Sequence, residues 1–148
     1  MINTTNLNEA RKQIQKLLKE KPQEKIVLLS QDDEFNRKAL EIKNLSMLVI
    51  NENLEVKDYG KQRNSGLNEV LAKICATKDI KVGIQIDEII KKSDKEKAKS
   101  LARLMQNIML CKKAKTKLIF LTNQDKRALQ ALLLTLKAST SQAQQATF

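Results

Sequence analysis

The run Asn64-Ser65-Gly66-Leu67-Asn68-Glu69-Val70-Leu71-Ala72-Lys73 joins a polar, glycine-bearing stretch to an apolar helical face, directly behind the cations Lys61 and Arg63. Leu67, Val70, Leu71, Ile74 and Cys75 follow helical spacing, so one face is expected to be buried while the first turn, at Ser65-Gly66, leaves backbone N–H groups unpaired. Unpaired donors at a helix start, with cations beside them, suit an anion such as a phosphate. The same residue types also make an ordinary structural cap that holds no ligand.

Acidic residues offer a different chemistry. Asp32-Asp33-Glu34 and Asp87-Glu88 each follow an apolar run that reads as a strand, and strand C-terminal ends are where barrel enzymes gather catalytic groups. Asp32, Asp33 and Asp87 with a divalent ion would suit phosphoester hydrolysis. As acids opening helices, they would instead complement the helix dipole. The chain has no histidine, which removes the commonest general base, the histidine-containing triads and nearly every histidine-based metal site. Gly60, Gly66 and Gly83 are its only glycines, too few and too scattered for a phosphate-cradling loop. The polypeptide is therefore expected to contribute no catalytic residue, no metal site and no cofactor of its own. Cys75 and Cys111 sit on apolar helical stretches without CxxC spacing and read as small core residues in a reducing compartment.

Four short apolar runs would position these groups: Lys25 to Leu29, Ser46 to Ile50, Lys81 to Ile86 and Lys117 to Leu121. Each is followed by a helical pattern, and near-continuous Val/Ile/Leu runs are the mark of buried parallel strands. The expected fold is α/β: a partial (β/α) TIM-type barrel of about four parallel strands with outer helices. A further helix comes first, with Leu7, Ala10, Ile14, Leu17 and Leu18 on one face, a capping box at Asn6 and Glu9, and Pro22 at its end. Ser93 and Glu96 repeat the capping pattern before a long helix striped by Leu101, Leu104, Met105 and Ile108, and Leu129, Leu132, Leu133 and Leu136 stripe the last one. The organisation predicted is an N-terminal helix over 1–24, a half-barrel domain over 25–138 and a C-terminal tail over 139–148.

With 28 Lys and Arg against 17 Asp and Glu, the chain carries +11, which favours a polyanionic partner. From Lys91 to Lys117 ten cations face only Asp94 and Glu96, so most of the excess lies on one helix and its flanks. A helix face selected for solubility alone mixes the two signs. The aromatic residues Phe35, Tyr59, Phe120 and Phe148 do not interleave with the cations, which disfavours base stacking and leaves phosphate and shape recognition of a folded RNA. No stretch approaches the ~18 consecutive apolar residues of a membrane span, so no membrane association is expected.

The Asn64 to Lys73 run, together with Asn36-Arg37-Lys38-Ala39-Leu40-Glu41, Val82-Gly83-Ile84-Gln85-Ile86, the basic helix from Lys97 to Lys113 and the ending Ser139-Thr140-Ser141-Gln142-Ala143, resembles ribonuclease P protein component 3. That is the archaeal and eukaryotic barrel subunit, and the likeness runs from residue 25 to 146. It implies a non-catalytic subunit of an endoribonuclease ribonucleoprotein, one that supports a catalytic RNA in removing the 5′ leader from precursor tRNA, with Mg2+ bound by the RNA. Implied RNA contacts are Asn36, Arg37, Lys61, Arg63, Asn64, Ser65, Gly66, Lys73, Lys97, Lys99, Arg103, Lys112 and Lys113.

The partners implied are ribonuclease P RNA, precursor tRNA and protein component 2, with components 1 and 4 in the holoenzyme. Location would be cytoplasmic, or nuclear in a eukaryote. Departures from the family pattern are visible. Arg63-Asn64-Ser65-Gly66 stands where the family has Lys-Asp-Ser-Gly, Gln85 stands where a glutamate is common, and Lys97 and Lys99 replace arginines. A lysine keeps the charge but loses the bidentate fork. Arg127 precedes Ala128 where the family has Arg-x-Pro. The relatives close a barrel of about eight strands, whereas the strands that would precede residue 25 have no visible counterpart. The open face is expected to be covered in part by the N-terminal helix and otherwise by a partner or a second copy. A general structured-RNA-binding protein and a metal-dependent hydrolase are the alternative readings.

Overall fold

In the computed structural model, which describes residues 1–146, four strands line up in the order β1 (Ile26–Leu29), β2 (Leu45–Ile50), β3 (Lys81–Ile84) and β4 (Leu118–Phe120). Every neighbouring pair is parallel, with Leu28 beside Leu48, Leu48 beside Val82 and Val82 beside Leu118. Helix α1 (Leu7–Glu20) precedes β1, α2 (Asp33–Ala39), α3 (Glu69–Thr77), α4 (Ile86–Ile90) and α5 (Asp94–Ala114) connect the strands, and α6 (Lys126–Thr135) and α7 (Thr140–Gln145) follow β4. This is the α/β fold expected, an arc of parallel strands with surrounding helices, consistent with a partial (β/α) barrel.

Side chains alternate across a pleated strand, so each strand has two faces. Ile26, Leu28, Leu48, Ile50, Val82, Ile84, Leu118 and Phe120 form one cluster with Ala10, Ile14, Leu71, Leu104, Ile108 and Leu133. The helices therefore lie on one side of the sheet. The alternate positions Val27, Leu29, Met47, Val49, Gly83 and Ile119 lie outside that cluster and form the opposite face. Gly83 is required there: a Cβ would meet Met47 Sδ at 2.8 Å and Val49 Cγ2 at 2.9 Å.

Several expectations are corrected. Ile2 bridges β1 in parallel, its N–H donating to Val27 O at 2.8 Å and its carbonyl accepting from Leu29 N at 2.9 Å. A one-residue counterpart of a leading strand thus exists, and α1 is the crossover from it to β1. Ala10 and Ile14 pack in the helix-side core, so α1 joins the outer layer rather than covering the open face. Asn6 caps α1 as expected, but Glu9 accepts from Thr4 Oγ1 and Gln13 Nε2 instead of closing a capping box. Ser93 precedes α5 without a side-chain cap bond. The third apolar run stops at Ile84, because Gln85 and Ile86 open α4.

Within the segment predicted as a C-terminal tail, Thr140–Gln145 form helix α7, which starts with a complete capping box at Ser139 and Gln142. Ala143 and Ala146 are buried, Ala146 O accepts from Phe120 N at 3.0 Å, and Gln142 Nε2 donates to Ile108 O at 3.0 Å. This helix thereby seals the outer edge of β4 and ties it to α5. Phe148 lies outside the described residues.

Candidate nucleic-acid interface

Helix α3 begins at Glu69, four residues later than the Ser65-Gly66 start that the sequence suggests. Asn68 is its cap, accepting from Leu71 N at 2.9 Å, so one orphan donor is met internally. Leu67, Leu71, Ala72 and Cys75 are buried, whereas Val70, expected inside, is exposed. Gly66 takes φ +73°, with Ile50 and Ser30 side chains 3.4–3.6 Å from where a Cβ would sit. That tight turn is the reason for glycine.

Two of the expected RNA contacts are interior residues. Asn36 has no exposed surface: it accepts from Gln31 N at 2.8 Å and donates to Gln31 O at 3.0 Å and Gly66 O at 3.5 Å. Ser65 is 4% exposed, its hydroxyl donating to Leu67 O and accepting from Gln106 Nε2 at 2.9 Å, while its carbonyl accepts from Asn107 Nδ2. Both shape the loop from the inside. Asn107 Oδ1 is a buried acceptor without a partner among the described residues.

Between β2 and α3 the chain runs from 51 to 68 with no helix or strand, held down chiefly by Asp58. Its carboxylate accepts from Arg103 Nε at 3.1 Å and Nη2 at 2.9 Å, from Arg63 Nη1 at 3.2 Å and from Asn64 N at 2.9 Å. Burial raises its pKa, but the hydrogen bonds and charges of Arg103, Asn64 and Arg63 outweigh it and hold the carboxyl below its usual value. Arg103 also donates to Val56 O at 2.8 Å and its side chain is 15% exposed, so it fastens the loop to α5 rather than offering itself to phosphate. Asn64 is half-buried in the same clasp. Lys92 donates to Glu52 O and to Ser100 Oγ, and Tyr59 donates to Asp33 Oδ2 at 3.1 Å. Sequence reading missed Asp58, Gln106 and Lys92, because no local pattern links a loop carboxylate to an arginine 45 residues away.

The cations that do face outward lie mainly along α5 and its neighbours. Exposed Lys95 and Lys113 recur at i and i+18, about five turns apart, so they share one line on the helix, and half-buried Lys99 at i+4 lies beside that line. Gln106 falls on the same line and docks the Arg63 turn beside it, accepting from Arg63 N at 3.1 Å and donating to Arg63 O at 2.9 Å. Glu69 Oε1 gathers Lys73 at 3.0 Å and Lys113 at 3.1 Å, which brings α3 and α5 cations together. Those ammonium groups hold the Glu69 carboxyl below its ordinary value. Lys61, Arg37 and Lys112 are exposed, and Lys97 is half-buried on another flank of α5. Lys115 caps α5 in the left-handed region at φ 61°, placing one more exposed cation at the helix end.

The carboxylates considered for hydrolysis have structural work. Asp32 caps α2, accepting from Phe35 N at 2.8 Å, and Asp33 takes the Tyr59 hydroxyl. Asp87 accepts from Thr122 Oγ1 at 2.9 Å and Gln124 Nε2 at 3.1 Å. Among the described residues no three His, Cys, Asp or Glu side chains converge as a metal site would require. Cys75 and Cys111 are buried free thiols, and burial pushes both up to about 12. Among the described residues no helix is long and apolar enough to cross a membrane.

Neither a protein-family model nor a curated protein matches the sequence. Among solved structures, the chain is similar to one in a cryo-EM structure of archaeal ribonuclease P with mature tRNA, at 21% identity and a TM-score of 0.78. The match covers 98% of this chain and 62% of that one, so this chain spans less than two thirds of its neighbour's length. At that identity the likeness establishes a shared fold, extending over nearly every residue described above.

Proposed function

We propose that this chain is a protein subunit of ribonuclease P, similar to component 3, that braces the catalytic RNA while the 5′ leader of precursor tRNA is removed. The observation that carries this reading is the fold match, over 98% of the chain, to a chain in an archaeal ribonuclease P with mature tRNA. The +11 charge and the α5 line of exposed Lys95 and Lys113 with half-buried Lys99 beside it supply what such a role demands, since phosphate contacts give a protein its grip on structured RNA. Bond breaking is assigned to the RNA and its magnesium ions. Component 2 is the expected protein partner, with components 1 and 4 alongside, in the cytoplasm or, in a eukaryote, the nucleus.

The RNA-facing residues are assigned as Arg37, Lys61, Arg63, Lys73, Lys95, Lys97, Lys99, Lys112, Lys113 and Lys115. Replacing Lys95, Lys99 and Lys113 together by glutamine tests this. Affinity for ribonuclease P RNA should fall, and the slope of log K against log salt should shallow by about 2–3, near 0.7–0.9 for each phosphate that is no longer neutralised. An unchanged slope, or equal affinity for an unrelated folded RNA of the same length, would contradict the assignment.

A further inference from the structure

The Gln106 amide grips Arg63 of the 51–68 loop at both of its backbone polar groups. Oε1 accepts from Arg63 N at 3.1 Å, Nε2 donates to Arg63 O at 2.9 Å, and the second Nε2 hydrogen reaches Ser65 Oγ at 2.9 Å. The amide orientation is forced: turned over, it would set donor against donor at Arg63 N and acceptor against acceptor at Arg63 O. Asn107 adds a bond from Nδ2 to Ser65 O at 3.1 Å. Helix α5 thereby fixes the peptide groups on either side of Arg63 and leaves the Arg63 side chain out of the grip.

That side chain is 47% exposed. Asp58 Oδ2 takes Nη1 at 3.2 Å, one of five guanidinium N–H donors. The same carboxylate is held by Arg103 through two bonds, so the two arginines and one acid keep a net positive charge. Arg63 is thus steered by Asp58 while retaining donors and charge for an anion. With Lys61 it lines an open hollow of about 390 Å3. Gln106 lies on the α5 line between Lys95 and Lys113, about 16 Å along the axis from the first and about 10 Å from the second. It brings no charge of its own to that interval, and Arg103, one turn earlier, is consumed by Asp58 and Val56 O. Arg63 supplies the cation there from the loop.

We infer that Gln106 is a positioning residue, holding Arg63 ready as a clamp for one backbone phosphate of the RNA. The inference rests on the RNA-binding reading above. Gln106 acts through Arg63 and makes no RNA contact itself. Its contribution is preorganisation: a turn already fixed loses little further backbone freedom when the guanidinium closes on a phosphate, whereas a loose turn would lose it at that moment.

The test measures binding of the full chain to ribonuclease P RNA across a salt series. Gln106→Met keeps the side-chain length and removes all three bonds, and Gln106→Ala is measured beside it. Arg63→Ala should weaken binding about ten-fold and shallow the slope of log K against log salt by about 0.7–0.9, the share of one phosphate. Each Gln106 variant should weaken binding about three-fold or more with Arg63 present, and as much with Arg63→Lys, because the grip is on the backbone. In the Arg63→Ala background it should cost less than about two-fold. A merely structural role would cost the same in all three backgrounds, and that additivity overturns the inference. Loss of the native circular dichroism in both Gln106 variants assigns a structural role and overturns it too. Wild-type affinity in the Gln106 variants, with Arg63→Ala weakened, overturns it while the RNA-binding reading stands. Wild-type protein that binds ribonuclease P RNA no better than an unrelated folded RNA of the same length removes that reading, and the inference with it.

Discussion

Asp58 holds two arginines and a backbone N–H with one carboxylate, and the 51–68 loop depends on it. Its partner Arg103 is mostly covered, so the pair is worth more than an exposed ion pair, whose contribution is near zero. Asp58→Ala and Arg103→Ala should each destabilise the fold by about 1–2 kcal/mol, with a coupling near 1 kcal/mol in the double mutant, measured by urea unfolding. Strict additivity would show that the clasp is incidental. A second expectation concerns the thiols. Cys75 and Cys111, pushed up to about 12 by burial, should resist alkylation at neutral pH until the protein unfolds; rapid modification of the native protein would contradict their placement. At this scale residue identity alone was misleading. Ser65 and Asn36 have the right types for phosphate contact, yet burial turns them into internal braces, and burial is a property of the whole packed chain.

Elements were far more legible than contacts. Short Val/Ile/Leu runs bounded by polar residues marked all four strands to within a residue or two, because buried parallel strands leave no other pattern. The α7 segment escaped notice since Thr140–Gln145 has little apolar stripe; its place comes from the capping box and from covering the edge of β4. The stripe of α5 also shifted, with Ser100 and Asn107 buried beside Leu104, Ile108 and Cys111, because those polar groups serve Lys92 and the Ser65 loop. One element-scale consequence is a pH dependence in the 51–68 loop. Burial raises the Glu52 carboxyl from 4.5 to about 7, against the pull of Lys92 and Arg103. Between those values the folded chain keeps a proton that the unfolded chain releases, so stability is highest below the unfolded value and falls as pH rises toward neutrality. Urea midpoints measured at about pH 5 and about pH 8 should differ in that direction, and Glu52→Gln should flatten the difference. A variant that keeps the full pH dependence would assign it elsewhere.

For the whole molecule, charge and fold point the same way. A parallel sheet with helices on one side presents two surfaces, one lined outward by α5 cations and one apolar trough. The charge was visible in the sequence as ten cations with two acids between Lys91 and Lys117. Which of those cations stay exposed was not visible, because Arg103 and Lys92 are consumed by a loop whose path depends on tertiary packing. The measurement that bears most directly on the central claim is reconstitution. Adding this protein, with component 2, to ribonuclease P RNA at low magnesium should raise the rate of 5′-leader removal from precursor tRNA, and the Lys95/Lys99/Lys113→Gln variant should lose most of that gain. Leader removal that is no faster with the protein than without it, across the magnesium range, would contradict the account.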